Sequence, residues 1–198
     1  YDTSGDERFL GGPAVSRFLF DTAVQPPVEA QATGVEVVYA YSIYGGSDEA
    51  ELHGSALDDR FVGWEGFSWL YYSASRFSYA QGFDRVKADV GKTDPTTGGT
   101  PGGTDTAYLF DSTDNDRFLG GPLSARMTYH PAESVVNTAS GFQKVNAYAR
   151  AGIDEAVLHG SAGNDRFDGK EGYSYLYYSA DRSRFNYVQG FDTLQTHV

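Results

Sequence analysis

Four copies of one short phrase constrain this chain more than any other feature: Tyr1-Asp-Thr-Ser-Gly-Asp-Glu-Arg-Phe9, Leu52-His-Gly-Ser-Ala-Leu-Asp-Asp-Arg-Phe61, Leu109-Phe-Asp-Ser-Thr-Asp-Asn-Asp-Arg-Phe118 and Leu158-His-Gly-Ser-Ala-Gly-Asn-Asp-Arg-Phe167. Their closing phenylalanines are 61 − 9 = 52, 118 − 61 = 57 and 167 − 118 = 49 residues apart, in the range of solenoid coils or propeller blades. Stability in such a chain comes from stacking like on like, and these architectures scaffold, adhere or bind more often than they catalyse.

Two further landmarks keep step with the phrase. A glycine opens Gly34-Val-Glu-Val, Gly82-Phe-Asp-Arg, Gly141-Phe-Gln-Lys and Gly190-Phe-Asp-Thr. Asp48, Asp105 and Asp154 each stand two residues before an alanine and 13 before a phrase phenylalanine (61 − 48, 118 − 105, 167 − 154). A constant offset marks a rung free of insertions. The variable stretch runs from the glycine to the aspartate, spanning 14 residues from Gly34, 13 from Gly141 and 23 from Gly82. The surplus is a Gly/Thr/Pro segment, 91–104, with no apolar residue to bury, so a mobile extruded loop is expected there. It divides the chain into a first repeat pair, 1–90, and a second, 105–198, within one continuous solenoid. First and third repeats share Arg-Phe-Leu-Gly-Gly-Pro, while second and fourth share Leu-His-Gly-Ser-Ala and Tyr-Tyr-Ser-Ala, so the full period is a pair.

Between landmarks, apolar and polar residues alternate, as in Glu36–Ser42 and Asp84–Val90, with Tyr, Phe, Val and Thr prominent. No dozen residues carry a helical period, so helix should be nearly absent. The expected fold is all-β: a parallel β-helix-like solenoid making about two coils per repeat, with Phe9, Phe61, Phe118 and Phe167 in one buried ladder. A four-bladed β-propeller is the alternative.

The net charge of −12 disfavours nucleic acid and anionic membrane as partners, and no apolar run approaches a membrane-spanning length. With 15 Tyr and 13 Phe among 198 residues, the chain can build an aromatic, strand-based core. It has no cysteine, which excludes disulfides and thiolate chemistry without fixing a compartment. Residue 1 falls inside the first phrase and Val198 precedes the next Asp-x-Ala, the pattern expected of one stretch of a longer array.

Gly160-Ser-Ala-Gly-Asn-Asp-Arg-Phe-Asp168 matches the calcium-binding nonapeptide G-G-x-G-x-D-x-U-x at every defined position but the second. It resembles the haemolysin-type (RTX-like) repeats of secreted bacterial proteins. That resemblance implies Ca²⁺ at Asp165, with Asp59, Asp116 and Glu7 in equivalent places. Here each copy stands alone, whereas RTX nonapeptides follow one another directly. The competing reading is a tight turn closed by Asp and Asn side chains. The whole unit also resembles the arrays of very large secreted bacterial surface proteins, which implies a secreted or cell-surface location and self-association into filaments.

No catalytic residue is assigned. Gly163–Lys170 is one residue too long for a phosphate loop and is followed by Glu171, no Gly-x-Ser-x-Gly elbow occurs, and the carboxylates sit at repeated turns instead of in one distinct pair. His53 and His159 occupy equivalent places, while His130 and His197 match no partner. The equivalent runs Phe67–Ser73 and Tyr173–Ser179 place Trp69, Tyr71, Tyr175 and Tyr177 on one face of a strand, with Leu70, Tyr72, Leu176 and Tyr178 on the other. If the second face is core, the first is an exposed aromatic strip able to stack on sugars or on another copy of the chain; otherwise loops cover it. Sequence thus leads to a structural or adhesive extracellular segment, with a carbohydrate-binding module as the alternative and a β-helix polysaccharide-degrading enzyme behind it.

Overall fold

The computed structural model describes residues 4–20, 28–94, 96–129, 135–178 and 182–198. It is an all-β solenoid of two facing sheets, and no helix occurs among the described residues. Sheet A has ten strands: β1 (Arg8–Gly11), β2 (Val15–Phe20), β3 (Val28–Thr33), β5 (Glu49–His53), β9 (Arg85–Asp89), β11 (Arg117–Gly120), β12 (Ser124–Tyr129), β13 (Val135–Ser140), β15 (Glu155–His159) and β19 (Thr193–His197). Sheet B has nine: β4 (Val37–Tyr41), β6 (Arg60–Trp64), β7 (Phe67–Tyr71), β8 (Phe77–Gln81), β10 (Thr106–Phe110), β14 (Lys144–Tyr148), β16 (Arg166–Lys170), β17 (Tyr173–Tyr177) and β18 (Phe185–Gln189). A propeller is excluded by this topology. Both sheets run across the 91–104 segment, through β9 on β13 and β6 on β10.

The strands are not all parallel. Each repeat holds one three-stranded antiparallel meander, in sheet A for the first and third repeats and in sheet B for the second and fourth, so β2, β7, β12 and β17 run against their neighbours. From β1 the chain crosses to β4, returns to β5 and crosses again to β6, so three crossings separate one phrase from the next. An odd number of crossings puts consecutive copies in opposite sheets. The repeat therefore makes one and a half circuits instead of two, which is the physical reason that the pair is the full period.

This corrects the single phenylalanine ladder. Phe9 and Phe118 belong to sheet A, Phe61 and Phe167 to sheet B. Each of the first three instead pairs with the phenylalanine of a Gly-Phe landmark: Phe9 with Phe83, Phe61 with Phe142 and Phe118 with Phe191, at centroid distances of 6.3, 6.2 and 6.1 Å. The landmark glycine is fixed by backbone geometry. Gly34, Gly82, Gly141 and Gly190 all have φ between 69° and 86°. A Cβ at Gly82 would lie 1.9 Å from the Ser42 carbonyl oxygen.

Each phrase also builds a socket on the strand it opens. The phrase phenylalanine and the glycine two residues on point inward, and the next parallel strand sets an alanine beside the ring: Ala50 on Phe9, Ala107 on Phe61, Ala156 on Phe118. Two residues later that strand drops a leucine onto the glycine. A Cβ at Gly11, Gly63 or Gly120 would meet the Cδ2 of Leu52, Leu109 or Leu158 at 2.8, 3.0 or 2.9 Å. All three leucines and all three alanines are fully buried.

The 91–104 segment lies along the solenoid instead of projecting from it. Thr97 is fully buried, its carbonyl accepting the Ala14 and Val15 N–H groups, and Gly98 and Gly103 approach Ala14 and the Leu57 backbone at distances that exclude a Cβ. Having no apolar residue, this segment packs through backbone hydrogen bonds and missing side chains.

Candidate functional site

The two outer faces differ sharply in chemistry. On sheet B, alternation turns Ala, Ser, Leu and Val inward and leaves sixteen aromatic rings outward: Tyr39, Tyr41, Trp64, Phe67, Trp69, Tyr71, Phe77, Tyr79, Tyr108, Phe110, Tyr148, Tyr173, Tyr175, Tyr177, Phe185 and Tyr187. Nine strands at about 4.8 Å make this face about 38 Å long. The described outward positions on sheet A hold no Phe, Tyr or Trp and are laced by ion pairs such as Arg8–Glu51, Arg17–Glu29 and Arg117–Glu155. The molecule is a slab with one aromatic and one charged side.

Trp69, Tyr71, Tyr175 and Tyr177 all lie on the aromatic side, half-buried, with Leu70, Leu176 and Tyr72 in the core. Among the described residues no strand or loop covers Tyr39 and Tyr41, which are 57% and 47% exposed. Neighbouring rings brace one another: Tyr175 lies 5.4 Å from Tyr177 and 4.7 Å from Tyr187, Trp69 5.1 Å from Phe67 and 5.2 Å from Tyr79. Alternation made the faces of the two runs legible in sequence; it could not show that β4, β8, β10, β14 and β18 would extend them into a single surface. That depends on the sheet order.

Near the middle, Trp64, Phe110 and Tyr148 stack in sequence, at 4.1 and 5.2 Å, with the Arg150 guanidinium 5.0 Å from the Trp64 ring. Glu65 and Asp111 share the shallow cleft beside them. Burial, with repulsion from Asp116 and Asp114, pushes the Glu65 carboxyl above its ordinary value.

The carboxylates named as calcium ligands occupy four separate corners. Asp59 accepts the Ser55 N–H and hydroxyl at 2.6 and 2.8 Å, and Asp165 accepts the same groups of Ser161 at 2.6 and 2.7 Å. Ser112 bonds both oxygens of Asp116 in the same way. Glu7, in the equivalent place, donates its N–H to Asp48 at 2.8 Å. The three landmarks meet at these corners: Glu7, Asp48 and Asp84 form one relay in which each N–H is capped by the next carboxylate, and Asp116, Asp154 and Asp192 form another. In the middle relay, Asp59 donates to Asp105 at 2.8 Å and Asp105 to the Gln143 amide oxygen. Burial raises Asp105 to about 7 and Asp154 to about 6, against the backbone donors that favour their charge. The contacts at Asp59, Asp116 and Asp165 are those of a serine-closed turn, repeated at separate corners. No group of three or more His, Cys, Asp or Glu that could hold a metal occurs among the described residues.

The equivalent histidines diverge. His159 is exposed and stacks on His197 at 5.2 Å, a partner the repeat pattern did not reveal. His53 is 5% exposed beneath the 91–104 segment, its Nε2 3.0 Å from the Asp94 carboxylate. Burial raises the Asp94 carboxyl, but hydrogen bonds from the Thr96 and Thr97 N–H groups and the neighbouring His53 ring outweigh it and hold it below its ordinary value. His130 lies outside the described residues. Comparison with protein-family models, curated proteins and solved structures returned no match.

Proposed function

We propose that this chain is a non-catalytic structural or adhesive repeat module of an extracellular bacterial surface or filament protein, and that its working surface is the aromatic face of sheet B. The observation that carries this reading is the contrast between the two sides: sixteen outward rings on one sheet against an ion-paired surface on the other. Monomeric soluble proteins rarely leave so large an apolar face uncovered, and strong amphipathic rings favour contact surfaces. Face-to-face pairing of two copies would bury the rings and leave both charged sides in water. The repeated corner carboxylates serve the turns, so no single residue pair stands out as a general acid and base.

Sedimentation velocity tests this. Self-association of the intact chain should rise with concentration and be lost when Trp69, Tyr79 and Tyr175 are each replaced by serine, with the circular dichroism of the fold retained. Equal association by that variant refutes the reading. Polysaccharide binding is the second reading, favoured by the Trp64–Phe110–Tyr148 stack with Arg150 and Glu65 beside it, since sugar rings stack on flat aromatics while charged groups meet their hydroxyls. Quenching or a blue shift of tryptophan emission on titration with a soluble glycan, abolished by Trp64→Ala, would select it over self-pairing.

A further inference from the structure

Four sockets are built by the four phrases, and three Asp-x-Ala-x-Leu strands fill three of them. The fourth, on β16, has the same parts and no described strand on it. Phe167 is 41% exposed, whereas Phe9, Phe61 and Phe118 are at most 2% exposed. At Gly169 the three atoms nearest a built Cβ all belong to Phe167, with no leucine above the glycine. Among the described residues none does for the Asp165 N–H what Asp105 does for that of Asp59.

We infer that the open edge of β16 is a binding site for one further extended segment with the pattern Asp-x-Ala-x-Leu, entering parallel to β16 and carried by polypeptide other than the three strands already seated. The register follows from the filled sockets. The alanine lies on Phe167 and the leucine on Gly169, while the aspartate accepts the Asp165 N–H. The residue after that aspartate donates its N–H to the Asp165 carbonyl, as Glu49, Thr106 and Glu155 donate to Glu7, Asp59 and Asp116, each at 3.0 Å. This is strand addition to a sheet edge, with main-chain bonds giving affinity and alternate side-chain pockets giving selectivity. Arg166, Asp168 and Lys170 on β16 do not obstruct it, because they face outward; β6 carries Arg60 in the same row and still accepts β10. Their charges instead guard the empty edge against unselective pairing. A second native copy does not supply the segment, since its own three are buried in its core. The inference stands apart from the aromatic face, which this site does not use.

The probe is a fluorescein-labelled nonapeptide with the sequence of residues 104–112, Thr-Asp-Thr-Ala-Tyr-Leu-Phe-Asp-Ser, titrated with the intact chain by anisotropy and followed by hydrogen exchange. Saturable binding is expected, with new protection confined to the amides of β16. It should weaken at least about tenfold when the peptide carries the changes Ala107→Glu or Leu109→Asp, which cannot unfold the protein, and likewise for the Gly169→Val protein, whose socket is filled. The Trp69→Ser protein should bind as well as the parent. No saturable binding, equal binding of the altered peptides, or protection falling on β4 or the aromatic face overturns the inference.

Discussion

Acid should stabilise the folded state through its buried carboxylates between neutrality and about pH 4, and Asp105, raised further than Asp154, should contribute most. Its side chain is 1% exposed, accepts the Asp59 N–H, and faces the charges of Asp59 and Asp58; burial is the largest influence and raises its carboxyl from 3.8 to about 7. Between those values the folded protein binds a proton that the unfolded chain has released. Stability therefore falls as pH rises through this window, is lowest above the folded value, and gains nothing more below about pH 4. A rise of roughly three units corresponds to about 4 kcal/mol as an upper bound. Asp105→Asn keeps the Oδ1 acceptor for Asp59 and removes the buried charge. Urea unfolding at pH 5 and pH 8 on both proteins isolates the effect of Asp105 and its coupled neighbours Asp58 and Asp59, because groups remote from it cancel in the difference. The variant should gain on the parent by about 1 to 4 kcal/mol at pH 8, and the gain should shrink progressively as pH falls towards 4. A variant that is less stable than the parent at pH 8, or a difference that does not change with pH, refutes the assignment.

Leu109→Ala empties the socket on Gly63 at the centre of the stack and should cost about 2–5 kcal/mol in urea unfolding. Gly82→Ala must relieve both a φ of 83° and the contact with the Ser42 carbonyl, so a loss above about 1 kcal/mol is expected by the same measurement. Chelator should leave the melting temperature unchanged, since Ser55, Ser112 and Ser161 already occupy the oxygens of Asp59, Asp116 and Asp165; a fall on adding EDTA, reversed by Ca²⁺, would show that those turns hold an ion.

The repeat made the fold class readable because each landmark has one mechanical job. The glycine before Phe83, Phe142 and Phe191 supplies a left-handed backbone, the aspartate before alanine accepts the N–H of a neighbouring rung, and the phrase aspartate closes its own turn on serine. Local patterns of this sort survive in sequence. What did not was the parity of the winding: alternation locates β7 and β17 but does not say that the chain doubles back there, so Phe9 and Phe61 looked like members of one ladder although an odd number of crossings parts them. The packing of 91–104 was hidden for a related reason. Composition records the lack of apolar side chains, while Thr97 is buried by backbone hydrogen bonds that any residue can make. The aromatic face was half legible: Trp69, Tyr71, Tyr175 and Tyr177 follow from alternation, but the joining of their strips depends on long-range strand order.

Ring-to-ring contacts test most directly the claim that successive phrases are laid into opposite sheets and locked by pairing with the Gly-Phe landmarks. In the protein labelled selectively at phenylalanine, with rings assigned through single Phe→Leu variants, nuclear Overhauser contacts should join Phe9 to Phe83, Phe61 to Phe142 and Phe118 to Phe191, whose centroids are 6.3, 6.2 and 6.1 Å apart. A contact between Phe9 and Phe61, or between Phe61 and Phe118, with those three absent, would place the phrases in one ladder and contradict the alternating fold.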